Sequence, residues 1–132
     1  MKIMKFPTSH KTQLMDISNE VNEAVITSGI KDGICVVFSP NTTTSIFMFE
    51  NVDPALRRDL LNALNRIAPN DVDYLHVGDN AAAHLKSSRM GSSVSIPVEN
   101  AKLVMGKWQG VFFAEFDGPR QEREVYIKVI AG

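Results

Sequence analysis

The sequence predicts an α+β domain built on a largely antiparallel sheet. Three observations carry that expectation. From Ser92 onward apolar residues recur with period two, whereas helical spacings and caps lie earlier, between residues 16 and 91. No internal repeat, low-complexity block or linker-like change of composition divides the 132 residues. Strands gathered late in a chain, with helices inserted before them, read as α+β with antiparallel pairing. A chain of this length is expected to form one domain, here residues 1–132, and to bury roughly two thirds of its unfolded surface.

The elements follow from local chemistry. Met1 to Phe6 reads as a first strand ended by Pro7. Ile17, Val21, Ala24 and Val25 then fall at helical spacing behind Asp16 and Ser18, which suit a helix start, and Ser28-Gly29 suits its end. Ile34 to Ser39, bounded by Gly33 and Pro40, is an apolar run of inner-strand type, and Ser45 to Glu50 is a second strand rich in aromatic and β-branched residues. Asp53-Pro54 supplies an acidic N-cap and a proline at the first helical position. Leu56, Leu60, Leu64 and Ile67 form that helix's expected buried stripe, and Pro69 stops it. Asp71 to Asp79 reads as loop, and Asn80 to Met90 as a helix closed by Gly91. Three alternating strands follow, carried by Val94, Ile96 and Val98, by Val111 to Phe116, and by Val125, Ile127 and Val129. The intervening Arg120-Gln121-Glu122-Arg123-Glu124, with alternating signs, reads as a solvated hairpin tip.

Composition excludes several functions. With 44% hydrophobic and 22% charged residues and a formal charge of −1, the chain has an ordinary globular make-up. It lacks the broad basic surface of a nucleic-acid-binding protein. The one cysteine, Cys35, sits in an apolar run and reads as a buried, inert thiol. Neither a signal peptide nor a stretch of about 20 apolar residues is evident, so a soluble cytoplasmic protein with no membrane partner is expected.

Candidate chemistry gathers at strand ends. Gly106-Lys107-Trp108-Gln109-Gly110 precedes one strand and Asp117-Gly118-Pro119-Arg120 follows it. Loops held by a rigid strand are where binding groups concentrate. Trp108 is read as core more readily than as a ligand platform. Arg120 has the planar fork that suits carboxylate or phosphate. Asn41-Thr42-Thr43-Thr44 either satisfies a turn or binds an anion, and Glu50 is a strand-end acid while Asp53 caps its helix. His76 and His84, eight residues apart, match no zinc spacing, yet Asn80 lies one helical turn before His84, so convergence stays open beside an ordinary surface role.

The ordered set of segments resembles the YjbQ, or UPF0047, family over nearly the whole chain. The carriers include Ser39-Pro40-Asn41-Thr42-Thr43, Glu50-Asn51, Asp53-Pro54, Tyr74-Leu75-His76 and Ala83-His84-Leu85-Lys86. Others are Gly91-Ser92-Ser93, Gly106 to Gly110, and Glu115-Phe116-Asp117-Gly118-Pro119-Arg120. The resemblance implies a β-sandwich-like core with two or three helices, assembled as a homotrimer around histidine-bearing pockets. It implies His76 and His84 as catalytic and metal-binding residues, with a divalent metal, zinc or magnesium, as candidate cofactor. Glu50 is the further catalytic acid, and Glu50 and Asp117 are candidate holders of a hard cation. Asn41, Thr42, Thr43, Asn80, Lys86, Gln109, Asp117 and Arg120 are then candidate contacts for a small anionic or phosphorylated metabolite. Asn41 departs from the family, which places a third histidine there; an amide is a poor zinc ligand and no base at neutral pH. The activity implied is a secondary thiamine-phosphate synthase, joining a pyrimidine diphosphate to a thiazole phosphate with release of pyrophosphate. The alternative is a non-catalytic homotrimer that binds a metabolite or metal.

Overall fold

The computed structural model describes residues 1–132. In order, the elements are β1 (Lys2–Thr8), β2 (Gln13–Asp16), α1 (Ser18–Ser28), β3 (Gly33–Phe38), β4 (Thr44–Glu50), α2 (Pro54–Ile67), α3 (Ala81–Met90), β5 (Ser93–Glu99), β6 (Lys102–Leu103), β7 (Gln109–Glu115) and β8 (Arg120–Ala131). The strands make a five-stranded sheet, β1-β8-β3-β5-β6, and a three-stranded sheet, β2-β7-β4. Every pairing is antiparallel, as the α+β reading expects.

The smaller sheet is the middle of three layers. On one side Ile46, Val111 and Phe113 meet Cys35, Val37, Ile96, Val125 and Ile127 of the larger sheet, with Val21 and Val25 of α1. On the other side Phe47, Phe112, Ala114 and Phe116 meet Leu64 of α2 and Ala83 of α3. Gly110 to Glu115 of β7 are therefore buried throughout, which is why apolar residues occupy both of its phases. Each such fully buried Phe or Val contributes roughly 1.5–3 kcal/mol from removal of apolar surface from water.

Helix ends behave as their chemistry dictates. Asp16 Oδ1 accepts from Ser18 N at 2.9 Å and from Ser18 Oγ at 2.6 Å, and Gly29 closes α1 in the left-handed conformation at φ 73°. Asp53 Oδ1 caps α2 through Ala55 N at 2.9 Å, with Pro54 as the first helical residue. Helix α3 docks tightly on β4 because its contact face is small. Ser87 Oγ donates to Thr44 O at 2.5 Å, Ser45 Oγ to Ser87 O at 3.0 Å, and Ile46 N to Gly91 O at 3.2 Å. That last bond closes part of the otherwise open edge of β4. No helix is long and apolar enough to cross a membrane.

Several sequence expectations are corrected. Pro7 does not end β1; the strand runs through it to Thr8, with a register irregularity between Phe6 and Thr8, since an edge strand tolerates a missing N–H. The short strands β2 and β6 are additions. The second of these forms a hairpin through Asn100 and Ala101, both at positive φ, the geometry of a type I′ turn without its usual glycine. The buried stripe of α2 is Leu60, Leu61 and Leu64, while Leu56 and Ile67 are exposed. Trp108 is 55% exposed rather than core.

The largest correction concerns Arg120–Glu124, which is not a solvated tip but the start of the 12-residue β8. Arg123 is in phase with Val125 and Ile127, so it points between the sheets, where Glu115 of β7 faces it. The pair is bidentate: Nε to Oε1 at 2.8 Å and Nη2 to Oε2 at 2.6 Å. Glu115 is fully buried and Arg123 5% exposed. Thr8 Oγ1 at 2.7 Å and Asp117 N at 3.1 Å also donate to Glu115, and Arg123 Nη2 donates to Thr43 Oγ1 at 2.9 Å. Burial alone would raise the Glu115 carboxyl, but the bonds from Arg123, Thr8 and Asp117 outweigh it and hold it below the usual range. Losing one partner strands the other as a buried charge, so Arg123→Leu is expected to lose about 3–5 kcal/mol in urea denaturation. Adding Glu115→Leu should recover much of that loss; additive losses in the double variant would contradict the pairing.

Candidate functional site

The Glu115–Arg123 pair sits beneath a cluster of polar loops. Three segments converge on it: Thr8 to Lys11 leaving β1, Asn41 to Thr43 entering β4, and Asp117 to Arg120 joining β7 to β8. Gly118 lets two of them touch. A Cβ there would lie 2.1 Å from His10 O and 2.9 Å from Glu115 Cγ, and Gly118 N donates to Lys11 O at 3.0 Å. Arg120 N is held by Thr8 Oγ1 at 3.0 Å, and Phe116 N by Thr43 O at 3.1 Å.

Asp117 is the hub above the pair. Lys11 Nζ donates to its Oδ1 at 2.7 Å; Arg120 Nη2 and Asn80 Nδ2 donate to its Oδ2, each at 3.0 Å. Arg120 Nε also donates to Asp117 O at 3.0 Å, holding the guanidinium flat against the turn. Burial pushes the Asp117 carboxyl up, but the bonds from Lys11, Asn80 and Arg120 and the Lys11 charge bring it below its ordinary value.

From Asn80 the network reaches the histidines. Asn80 Oδ1 lies 3.1 Å from His76 Nε2, and the His76 and His84 rings stand edge to face with centroids 5.3 Å apart. His84 Nδ1 lies 3.2 Å from the Thr42 carbonyl oxygen. A carbonyl only accepts, so Nδ1 carries the proton, and in the neutral tautomer Nε2 is bare. The two imidazoles line an open depression of about 620 Å³ whose other walls include Asp73, Tyr74, Leu75, Ala81 and Leu85. A larger groove of about 880 Å³, between β1 and α1, contains none of the candidate residues.

Thus the fold brings together His76, His84, Asn80, Thr42, Thr43, Asp117 and Arg120 from distant stretches of sequence. Three candidates fall elsewhere. Glu50 and Gln109 pair with each other at the far end of β4 and β7, six residues and about 20 Å along the strand from Thr44. There the Glu50 carboxylate accepts from Val52 N at 2.7 Å and Asp53 N at 3.1 Å, and Gln109 Oε1 accepts from Gly106 N at 2.7 Å. Lys86 is 4% exposed and turned toward α2, donating to Asn65 Oδ1 at 2.6 Å; burial, then the Lys11 charge, lowers its pKa. Asn41 Oδ1 faces Thr44 Oγ1 at 3.4 Å. Cys35 is buried as expected, its thiol raised to about 11 by burial.

These placements bear on the metal. No three His, Cys, Asp or Glu side chains converge. Asn41 faces a threonine, Glu50 and Asp117 lie at opposite ends of the small sheet, and two imidazoles fall short of the three or four protein ligands zinc takes. The donor set of this chain alone does not fit a resident zinc. Lys11, Arg123 and Thr8 complete this network, although the sequence analysis does not name them as site residues. For Arg123 a signal existed, since it shares the phase of Val125 and Ile127; for Lys11 and Thr8 there was none.

The fold and site define an α+β two-sheet domain with a histidine-bearing depression linked through Asn80 to the Asp117–Arg120 turn. Comparison with known proteins then places the chain. It belongs to the family described as UPF0047 protein YjbQ-like, whose model matches residues 2–132. It is 42% identical over 123 residues to a UPF0047 protein of Methanocaldococcus jannaschii, covering 93% of this chain and 88% of that one. It is 38% identical to UPF0047 protein YugU of Bacillus subtilis over 132 residues, 98% of both. Among solved structures, a YjbQ/UPF0047 protein of Clostridium acetobutylicum matches with a TM-score of 0.95 at 48% identity, over 98% of this chain and 100% of that one. A YbjQ-like protein of unknown function from Sulfolobus solfataricus also reaches 0.95, at 32% identity, over 99% of this chain and 96% of that one.

Because Asp117 and Glu115 are both depressed in the folded state, their stabilisation is complete above the ordinary carboxylate range. It is lost as pH falls below about 4. The stability gap between wild type and Asp117→Asn, read by urea denaturation, should therefore narrow from pH 6 to pH 2.5. A constant gap would show that the Asp117 charge is not what stabilises.

Proposed function

We propose that this chain is an enzyme acting on a small anionic, phosphorylated metabolite at the His76/His84 depression. The observation that carries the reading is the bond between His84 Nδ1 and the Thr42 carbonyl, which leaves Nε2 bare, in a depression linked through His76, Asn80 and Asp117 to the Lys11 and Arg120 cations. Each cation keeps donors that Asp117 does not use, so an anion can bind at the rim while His84 moves a proton within reach.

Thiamine-phosphate synthesis, the activity that the resemblance implies, suits these parts. There the bond from the pyrimidine methylene carbon to a diphosphate oxygen breaks, a bond from that carbon to the thiazole nitrogen forms, and pyrophosphate leaves. A protonated His84 would stabilise the leaving oxygen, and Arg120 with Lys11 would hold its charge. We also read the chain as a homotrimer subunit. Leu75 and Val77, flanking His76, are 102% and 99% exposed, apolar surface that a neighbouring subunit would cover.

Purified protein with both precursors and Mg²⁺ should form thiamine phosphate, and His84→Ala should slow turnover about 10²–10⁴-fold. Undiminished turnover in His84→Ala would remove the assignment. Binding of both precursors without turnover in wild type would favour the non-catalytic reading, which rests on Asn41 standing where the family has a third histidine.

A further inference from the structure

Hydrogen-bond direction fixes more of this site than its distances do. A carboxylate can only accept, so the Asn80 atom facing Asp117 must be the amide nitrogen, at 3.0 Å. The Asn80 oxygen is then the atom 3.1 Å from His76 Nε2, and an amide oxygen also only accepts. His76 therefore carries its proton on Nε2, and its Nδ1 is bare. Across the 5.3 Å between ring centroids, His84 has the opposite arrangement, with Nδ1 protonated and Nε2 bare.

We propose that Asn80, oriented by Asp117, is a positioning residue that sets the proton on His76, so that the depression presents one bare nitrogen from each imidazole to a ligand. The other polar side chains of the wall agree in sense. Asp73 is an acceptor, and the Tyr74 hydroxyl donates its proton away, to Pro69 O at 2.5 Å. With both imidazoles neutral, then, the side chains of the depression accept and do not donate, while the Lys11 and Arg120 donors lie outside it, on Asp117. Resting on the anionic-metabolite reading above, this narrows the ligand class. The ligand is anionic at one end and carries its own donors, hydroxyl or amino groups, at the other. The Asn80 oxygen and one of its two amide N–H groups are committed to His76 and Asp117.

Imidazole ¹⁵N–¹H correlation spectra of the whole chain at pH 8 read the two tautomers directly. The expected result is His76 protonated on Nε2 and His84 on Nδ1; the same tautomer on both rings overturns the assignment. In Asp117→Ala, which removes the acceptor of the Asn80 amide nitrogen, the Asn80 amide can turn over and present its NH₂ to His76 Nε2. The His76 proton should then move to Nδ1 while that of His84 stays, and an unmoved His76 proton overturns the role of Asn80. Should that variant not fold, Asn80→Ala, which leaves His76 Nε2 without its partner, should give a mixture of both His76 tautomers, and a single unchanged one overturns it equally. Calorimetric titration tests the ligand class with glycerol 3-phosphate, propyl phosphate and inorganic phosphate. Glycerol 3-phosphate should bind about 5–10-fold more tightly than propyl phosphate, the scale of one hydrogen bond, and lose that margin in His84→Phe. Equal affinity for the two organic phosphates overturns the donor requirement while leaving the anion site standing. Binding of none of the three overturns both.

Discussion

One buried ion pair ties this molecule together. Glu115 interrupts the inner face of β7 just where apolar residues would otherwise continue, and a carboxylate there is tolerable only because Arg123 of the opposite sheet meets it with two hydrogen bonds. Thr8 and Asp117 N satisfy the remaining carboxylate positions, and Thr43 takes a further guanidinium donor. Hydrophobic residues of similar volume would pack the two sheets at least as well. What they would lack is direction: the pair reaches β1, the loop entering β4 and the turn after β7. Two of these segments hold the candidate site, through the Thr42 carbonyl facing His84 and through Asp117 bonded to Asn80.

The site is in that sense an extension of the core. The Thr42 carbonyl that orients His84 is adjacent to Thr43, which Arg123 holds. Asp117, which orients Asn80, is two residues from Glu115, whose carboxylate accepts its backbone N–H. Two imidazoles on an exposed loop and a short helix thus inherit their geometry from groups that are almost wholly buried. Membership of the YjbQ-like UPF0047 family agrees with a shared scaffold of this kind.

Much of the fold was legible because its signals are local. Asp53-Pro54 starts a helix, Gly29 and Gly91 end helices, and period two in the last third marks strands. What escaped was what depends on partners distant in sequence. The charged run at Arg120–Glu124 looked solvated because alternating signs usually are; only the facing Glu115 makes Arg123 a core residue. The Asn100-Ala101 turn lacks the glycine that announces such hairpins, and Pro7 was tolerated by an edge. Leu56 and Ile67 fit the helical stripe of α2 but are exposed, because Leu60, Leu61 and Leu64 make its contact with the second core. At the site, His76, His84, Asn80 and Arg120 were found by residue type and converge. Glu50 and Gln109 were grouped with them on resemblance, yet strand length alone sets them about 20 Å away within one chain. Lys86 follows from helix geometry: two residues after His84, it faces another side of α3.

The central claim is that the inter-sheet pair positions the site as well as joining the sheets. A crystal structure of the Glu115→Leu, Arg123→Leu double variant tests it most directly. The two sheets are expected to remain packed while the Thr42–Thr43 segment shifts and His84 loses its contact with the Thr42 carbonyl. An unaltered loop, with His84 still bonded to Thr42 and His76 to Asn80, would contradict it.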